Sequence, residues 1–369
     1  MGFQAISFAG DGFFILYIIK ENVLMKTMTM WVICLMLICG TASGQNPIQE
    51  LTVMTHDSFS ISKDVLARFE QENRVKIRFL KAGDAGSALN QAILSKGNPL
   101  ADVFYGVDNT FMSRALKAEM FLPYQSPNLI HIGPTLKLDT AYRLSPVDFG
   151  DVCLNYDKKW FASRNLQPPG SLEDLILPEY TALTVVESPA TSSPGLAFLL
   201  TTIGHFGENG FLDYWKKLKQ NQVLIVNGWK EAYWGNFTAA SKGNRPIVAS
   251  YASSPPAEVH FSKSPLSEAP SAAVTAKGTC FRQIEFVGIL KGTRHQKIAE
   301  KLIDFFLDKP FQEDIPLQMF MFPANSTAQL PDVFVNHAKI AVDPVGLDSD
   351  RIESQREKWL ESWADAVLR

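Results

Sequence analysis

A chain of 369 residues is long enough for two domains of ordinary size, each burying its own core. Hydrophobic residues make up 46% and charged residues 20%, and 35 basic against 38 acidic residues leave a formal net charge of −3. That balance gives no electrostatic footprint for nucleic acid or for an anionic membrane surface.

The N-terminus reads as an export signal that starts at Met25. Met25-Lys26 opens a positively charged stretch ahead of the apolar run Met30 to Cys39, and Ala42-Ser43-Gly44 supply small residues for cleavage before Gln45. Residues 1–44 are therefore read as leader and signal peptide. The run is too short to span a bilayer, although a second apolar patch, Phe13 to Ile19, leaves an N-terminal anchor as the alternative. Ile38 before Cys39 is bulky where a lipidation signal has a small residue. Export leaves Cys153 and Cys280 in the mature chain, one potential disulfide but no disulfide-built scaffold. The six histidines are scattered without an H-E-x-x-H pattern, so neither a metal nor a cofactor is expected.

From Leu51 to about Ala118 strands and helices alternate, which argues a parallel sheet with crossover helices. Strand Leu51 to His56 gives way to the turn Asp57-Ser58-Phe59-Ser60 and a helical stretch, Ile61 to Glu72. Strand Lys76 to Ala82 gives way to Gly83-Asp84-Ala85-Gly86-Ser87 and a helix to Leu94. Pro123 to Pro146 is irregular. Val147 to Tyr156 reads as an extended segment entering a second α/β run, Ser171 to Ser254. In that run Thr184 to Glu187 leads to Ser188-Pro189-Ala190-Thr191-Ser192-Ser193-Pro194-Gly195, and Ile247 to Ser250 leads to Tyr251-Ala252-Ser253-Ser254-Pro255. Ser and Asp side chains at such turns cap free backbone N–H groups, their ordinary role, and helix N-termini also attract anions. A second extended segment, Phe281 to Leu290, follows a loop rich in Ser, Pro and Ala. The rest is helical. His295 to Leu307 carries an apolar stripe, and Arg351 to Leu368 puts Ile352, Trp359, Leu360, Trp363 and Val367 on one face, where packing rather than ligand binding is the reading for the two tryptophans.

Two extended segments bracketing one α/β unit indicate a lobe inserted into another. Residues 45–149 form lobe 1, 150–283 lobe 2, 284–345 the return to lobe 1, and 346–369 a C-terminal helix. The most informative stretch is Val226-Asn227-Gly228-Trp229-Lys230-Glu231-Ala232-Tyr233. It runs from an apolar strand into a turn carrying two large rings and two charges, which places those rings at the rim of a sheet, where ligands of open α/β folds lie.

With these segments assembled, the chain resembles the thiamine-binding periplasmic proteins of ATP-binding-cassette importers from about Leu51 to Arg369. The marks are Thr55-His56-Asp57-Ser58-Phe59, Gly106-Val107-Asp108-Asn109, Thr191-Ser192-Ser193-Pro194-Gly195-Leu196, Gly228-Trp229-Lys230-Glu231-Ala232-Tyr233 and Ser250-Tyr251-Ala252-Ser253-Ser254-Pro255. The resemblance implies an α/β, two-lobed, type II periplasmic-binding-protein fold with the ligand between the lobes. It also implies a monomer that hands thiamine to a membrane permease without catalysis. Positions matching the family's ligand contacts are Asp84, Ala85, Ser192, Ser193, Trp229, Tyr251, Ala252, Ser253 and Ser254. A cationic thiazolium suits the faces of Trp229 and Tyr251. Carboxylates from Asp57, Asp84, Asp108, Glu231 or Glu285 stand as candidates to balance its charge. Thiamine mono- or diphosphate would add an anion, for which Ser192 and Ser193 at a helix start are the expected seat.

The chain departs from the enterobacterial members of the family at several rings. It has His56 where they have Tyr, only Ser60 to Lys63 where a Trp follows the D-S-F motif, and Ala257 where another Tyr stands, so the aromatic enclosure is thinner here. The rival class is a thiamine-degrading enzyme of the same two-lobed architecture with Cys153 as nucleophile, for which Glu285 is the one nameable base.

Overall fold

The computed structural model describes residues 48–369, so the export signal, Cys39 and the alternative anchor patch lie outside the described residues. Gln49–Arg369 holds together as one unit. Strands β1 (Gln49–Thr55), β2 (Val75–Lys81) and β3 (Val103–Asp108) pair in parallel, with helices α1 (Lys63–Asn73) and α2 (Ala85–Leu94) as crossovers. β3 is buried along its whole length and β1 over its last five residues, as strands covered on both faces must be. β2 alternates buried Val75 and Ile77 with exposed Lys76 and Arg78, which suits the outer edge of the sheet.

After α3 (Met112–Lys117) and the short β4 (Phe121–Leu122), the chain runs into the thirteen-residue β5 (Ser145–Asp157). Beyond α4 (Lys158–Arg164) it builds a second parallel group from β6 (Thr184–Glu187), β7 (Leu224–Val226) and β8 (Ile247–Tyr251). The long helix α5 (Ser193–Gln220) covers this group and changes direction at Gly207, whose φ of 72° breaks the helical run. After α6 (Pro255–His260) and β9 (Ser271–Val274), β10 (Phe281–Leu290) runs back beside β5.

The sheet is continuous and mixed, in the order β2-β1-β3-β10-β5-β8-β6-β7. Its middle is an antiparallel ribbon, with Phe149 opposite Ile284 and Val152 opposite Phe281. The two extended segments of the sequence are this ribbon, which joins the parallel groups on its two sides. Cys153 and Cys280 form a disulfide across its second-lobe end, with the Cα atoms 4.4 Å apart. Helices α7 (Gln296–Leu307), α8 (Lys309–Gln312), α9 (Ile315–Gln318) and α10 (Asp332–His337) follow, with β11 (Phe322–Pro323) against β5. The last helix, α11 (Ser349–Val367), buries Trp359 and Trp363, the latter edge-on to Trp215 of α5 at 5.6 Å. Both tryptophans are packing residues.

One expectation about helix starts needs correction. Of the four strand-end turns, only that of Asp84 caps its helix with a side chain, Oδ1 accepting from the Ala85 N–H at 2.8 Å. Ser62, Ser192 and Ser254 occupy N-cap positions without a side-chain cap. Tertiary partners have taken the nearby hydroxyls: Ser254 shares a hydrogen bond with Ser250 at 2.9 Å, and Ser193 donates to Asp108.

Candidate functional site

The C-terminal ends of the strands in both parallel groups face one narrow cleft. His56, Ser58, Asp84 and Ala85 line it from the loops after β1 and β2. Ser193, Pro194, Trp229, Tyr251 and Ser254 line it from the second group. Gln283 and Glu285 rise from β10, and Met319 and Met321 come from the chain after α9. The arrangement follows from parallel strands, which deliver all their following loops to one edge.

Trp229 forms the wall. One face of its indole stacks on Tyr233, 5.0 Å away and tilted by 17°, and its Nε1 donates to Ser250 Oγ at 2.8 Å. Tyr233 is itself buried and donates to Glu258 at 2.7 Å, while Glu258 also accepts from the Ser271 backbone at 2.8 Å. The sequence reading put both rings at the rim. The π-helical turn Glu231–Asn236 instead carries Tyr233 behind Trp229, so one ring faces the cleft and the other anchors it.

The floor is charged. His56 Nε2 lies 3.1 Å from Glu285 Oε1, close enough for an ion pair although not aligned for a hydrogen bond. Burial lowers the His56 pKa, but the Glu285 carboxylate and, more weakly, Asp84 outweigh it and hold the imidazole above its ordinary value. Gly106, at φ 110°, makes room for this ring, since a Cβ there would stand 2.6 Å from His56 Cδ2.

Several contacts cross between the two sides of the cleft. Asp84 Oδ2 accepts from the Trp229 backbone N–H at 3.0 Å, and Lys230 Nζ donates to the Asp57 carbonyl at 2.6 Å. Ser193 donates to Asp108, and Gly228 lies so near Asp84 that a Cβ there would sit 2.7 Å from Oδ2. The protein is thus in a closed arrangement, with Asp84 both capping α2 and holding the Trp229 loop.

Of the positions picked out in the sequence, Asp84, Ala85, Ser193, Trp229, Tyr251 and Ser254 line this cleft. Asp57 borders the adjoining groove with Lys230 and Glu231. Asp108, Ser192, Ala252 and Ser253 are buried behind the surface. At the expected phosphate seat the Ser192 hydroxyl is buried without a hydrogen-bond partner. Ser193 is committed to Asp108, whose carboxyl burial pushes up to about 6 against the pull of the Ser193 and Thr110 hydrogen bonds. Nearby Glu187 is wholly buried with neither carboxyl oxygen paired, and burial raises its pKa well above the carboxylate range. Glu285, a candidate counter-charge in the sequence, also lines the cleft, and so do His56, Ser58, Pro194, Gln283, Met319 and Met321, which were not chosen as contacts. His56 and Ser58 carry the same strand-end signal as Asp57, whereas nothing local marks the two methionines. The thiol nucleophile of the enzyme alternative is overturned, because Cys153 is buried and bonded to Cys280.

Two α/β groups joined by a crossing ribbon, with an aromatic-walled cleft between them, define a solute-binding protein of the type II periplasmic-binding-protein fold. The chain belongs to the family of bacterial extracellular solute-binding proteins, matched over residues 98–351. It is 30% identical over 340 residues to the thiamine-binding periplasmic protein of Salmonella typhimurium, covering 91% of this chain and 98% of that one. To the thiamine-binding periplasmic protein of Escherichia coli it is 29% identical over 341 residues, again covering 91% and 98%. A solved structure of a periplasmic thiamin binding protein matches with a TM-score of 0.77 and 26% identity, over 87% of this chain and 96% of the other. Membership makes the chain a solute-binding protein rather than an enzyme. Among the described residues no helix is long and apolar enough to cross a membrane.

Proposed function

We propose that this protein captures thiamine in the periplasm and delivers it, as a monomer, to the permease of an ATP-binding-cassette importer. The observation that carries the reading is the free face of Trp229, which meets the same cleft as the carboxylates of Asp84 and Glu285. A flat heteroaromatic cation gains stacking area and cation–π attraction from the ring, and charge balance from the acids. Met319 and Met321 add polarizable apolar surface that adapts to such a ring. The similarity to thiamine-binding periplasmic proteins over nearly the whole chain supports the same ligand.

The ligand-contact set we propose is Asp84, Ala85, Ser193, Trp229, Tyr251 and Ser254, with Asp57, Asp108, Ser192, Ala252 and Ser253 supporting it. Among the described residues, 48–149 with 284–345 form one lobe and 150–283 the other, closing about β5 and β10. Thiamine is preferred to its phosphates, because the Ser193 hydroxyl at the helix start where a phosphate would sit already donates to Asp108.

Mass spectrometry of the native protein should find thiamine bound as purified. After unfolding, dialysis and refolding, calorimetry should show one thiamine per chain, with the radius of gyration falling at saturation. A refolded protein with no heat of thiamine binding would remove this reading.

A further inference from the structure

In the ladder, Glu285 of β10 stands opposite Asp108 of β3 on one side and Asp148 of β5 on the other. Residues directly opposite in antiparallel strands point to the same face, so three carboxyls form one row across the middle of the sheet. Asp108 and Asp148 are wholly buried, and Glu285 is 6% exposed. Ser193 and Thr110 occupy Asp108, and the Tyr105 hydroxyl donates to Asp148 at 2.8 Å. Glu285 is the member that reaches the cleft, where its neighbour is the poorly aligned His56 imidazole. A second observation points to an occupant of the same spot. Gln283, on the same face of β10 and lining the same cleft, is 2% exposed, and its Oε1 has no hydrogen-bond partner. A buried amide oxygen left unpaired costs free energy that a bound N–H donor would recover.

We propose that Glu285 is the counter-charge for the cationic ring of the bound ligand and that His56 is its partner in the empty cleft, so that capturing the cation expels the imidazole proton. The inference rests on the thiamine reading and deepens it. Carboxyls in one buried row cannot all ionise unless a positive charge stands near them, and in the empty protein the imidazolium supplies it. The Glu285 carboxylate and Asp84 hold the His56 proton, against burial and against Lys81. Asp108 sits at about 6 through burial, with Glu285 adding to the rise, and Asp148 is raised well above the carboxylate range by burial and Glu285. Behind the row stands Arg356, near enough to Asp108 to feel its charge. Asp57 faces Lys81, and the Tyr105 and Tyr251 hydroxyls are pushed up by burial and stay neutral.

A ligand cation beside Glu285 repels the imidazolium and lowers the proton affinity of Asp108, so both groups release protons on binding. Binding then tightens as pH rises through about 6 and through the raised His56 pKa, and weakens about tenfold per pH unit for each whole proton released below that window.

The test titrates thiamine by calorimetry near pH 6.5 in two buffers of different ionisation enthalpy. It adds an uncharged thiamine isostere that carries a thiophene ring in place of the thiazolium. Wild-type protein should release between about half and one proton per thiamine and His56→Gln less than half of that, since one group near its pKa supplies most of the exchange. Glu285→Gln should weaken thiamine at least about 30-fold, the loss expected when one member of a buried charge pair is removed, and the isostere much less. Wild-type binding of thiamine with no net proton release, or equal weakening of both ligands in Glu285→Gln, would overturn the exchange. A wild type that does not bind thiamine overturns the parent reading, and this inference with it. Should Glu285→Gln not fold, the proton counts of wild type and His56→Gln decide alone.

Discussion

Replacing Trp229 by alanine isolates the aromatic wall. The backbone N–H of Trp229 holds Asp84, so truncating the side chain leaves that cross-cleft bond in place. What is lost is the free indole face and the Nε1 bond to Ser250. A desolvated cation over an indole is worth about 2 kcal/mol, and aromatic stacking adds about 0.5–1.5 kcal/mol. Tyr233 lies 5.0 Å behind and is tied by its hydroxyl to Glu258, so it offers a second ring without advancing to the ligand. The net loss should be about 2–3 kcal/mol, or roughly 30- to 150-fold in Kd. Trp229→Phe keeps a face, loses the indole N–H, and should fall within about tenfold of wild type. Calorimetric titration with thiamine, on variants whose melting shows them folded, reads the difference. Thiamine affinity in Trp229→Ala within twofold of wild type would refute the stacking model.

Denatured, unreduced protein should show no free thiol at Cys153 or Cys280. Cys280→Ser should lower unfolding stability in urea by up to about 5 kcal/mol on a chain-entropy account of a 127-residue separation, and equal stability with and without reductant would contradict it. Asp84→Ala removes a helix cap worth about 1 kcal/mol together with the acceptor for the Trp229 loop. It should therefore cost stability and more than about tenfold in thiamine affinity, the combined loss of a charged acceptor and a positioned wall; unchanged affinity would dismiss the cross-cleft role. Thiamine monophosphate should bind more weakly than thiamine, because Ser193 is committed to Asp108, and equal or tighter binding by calorimetry would reverse that view.

Periodicity carries the parts of the fold that depend on local burial. The stripe Ile298, Leu302, Ile303 and Phe306 marks α7, and the apolar segments ending at Glu187 and Val226 mark the second parallel group, because a buried face repeats along its own element. The Trp229 turn is legible for the opposite reason: large rings directly after a strand have no place in that repeat. Met319 and Met321 carry neither signal, and only the return of the chain after α9 brings them to the cleft. The His56–Glu285 pair joins β1 to β10 through a sheet order that skips most of the chain, and such pairing is set by topology. Ser193 misleads for a related reason. A serine at a helix start is an obvious cap or anion donor, yet its hydroxyl is claimed by Asp108 from another element.

The disulfide between Cys153 and Cys280 bears on which movements remain to the two sides of the molecule. Sliding β5 against β10 by one residue would turn every side chain of the ribbon to the wrong face. The covalent link at the second-lobe end of the ribbon removes that slip altogether. What is left is bending and twisting in the stretch from Asp148 to Val152 and its partners from Phe281 to Glu285. The carboxyl row with Glu285 lies at the far end of that same stretch. On the proposed closure about β5 and β10, each opening of the cleft would rotate a fixed pair of strands about nearly the same line, and the charged floor would return to the same register on shutting.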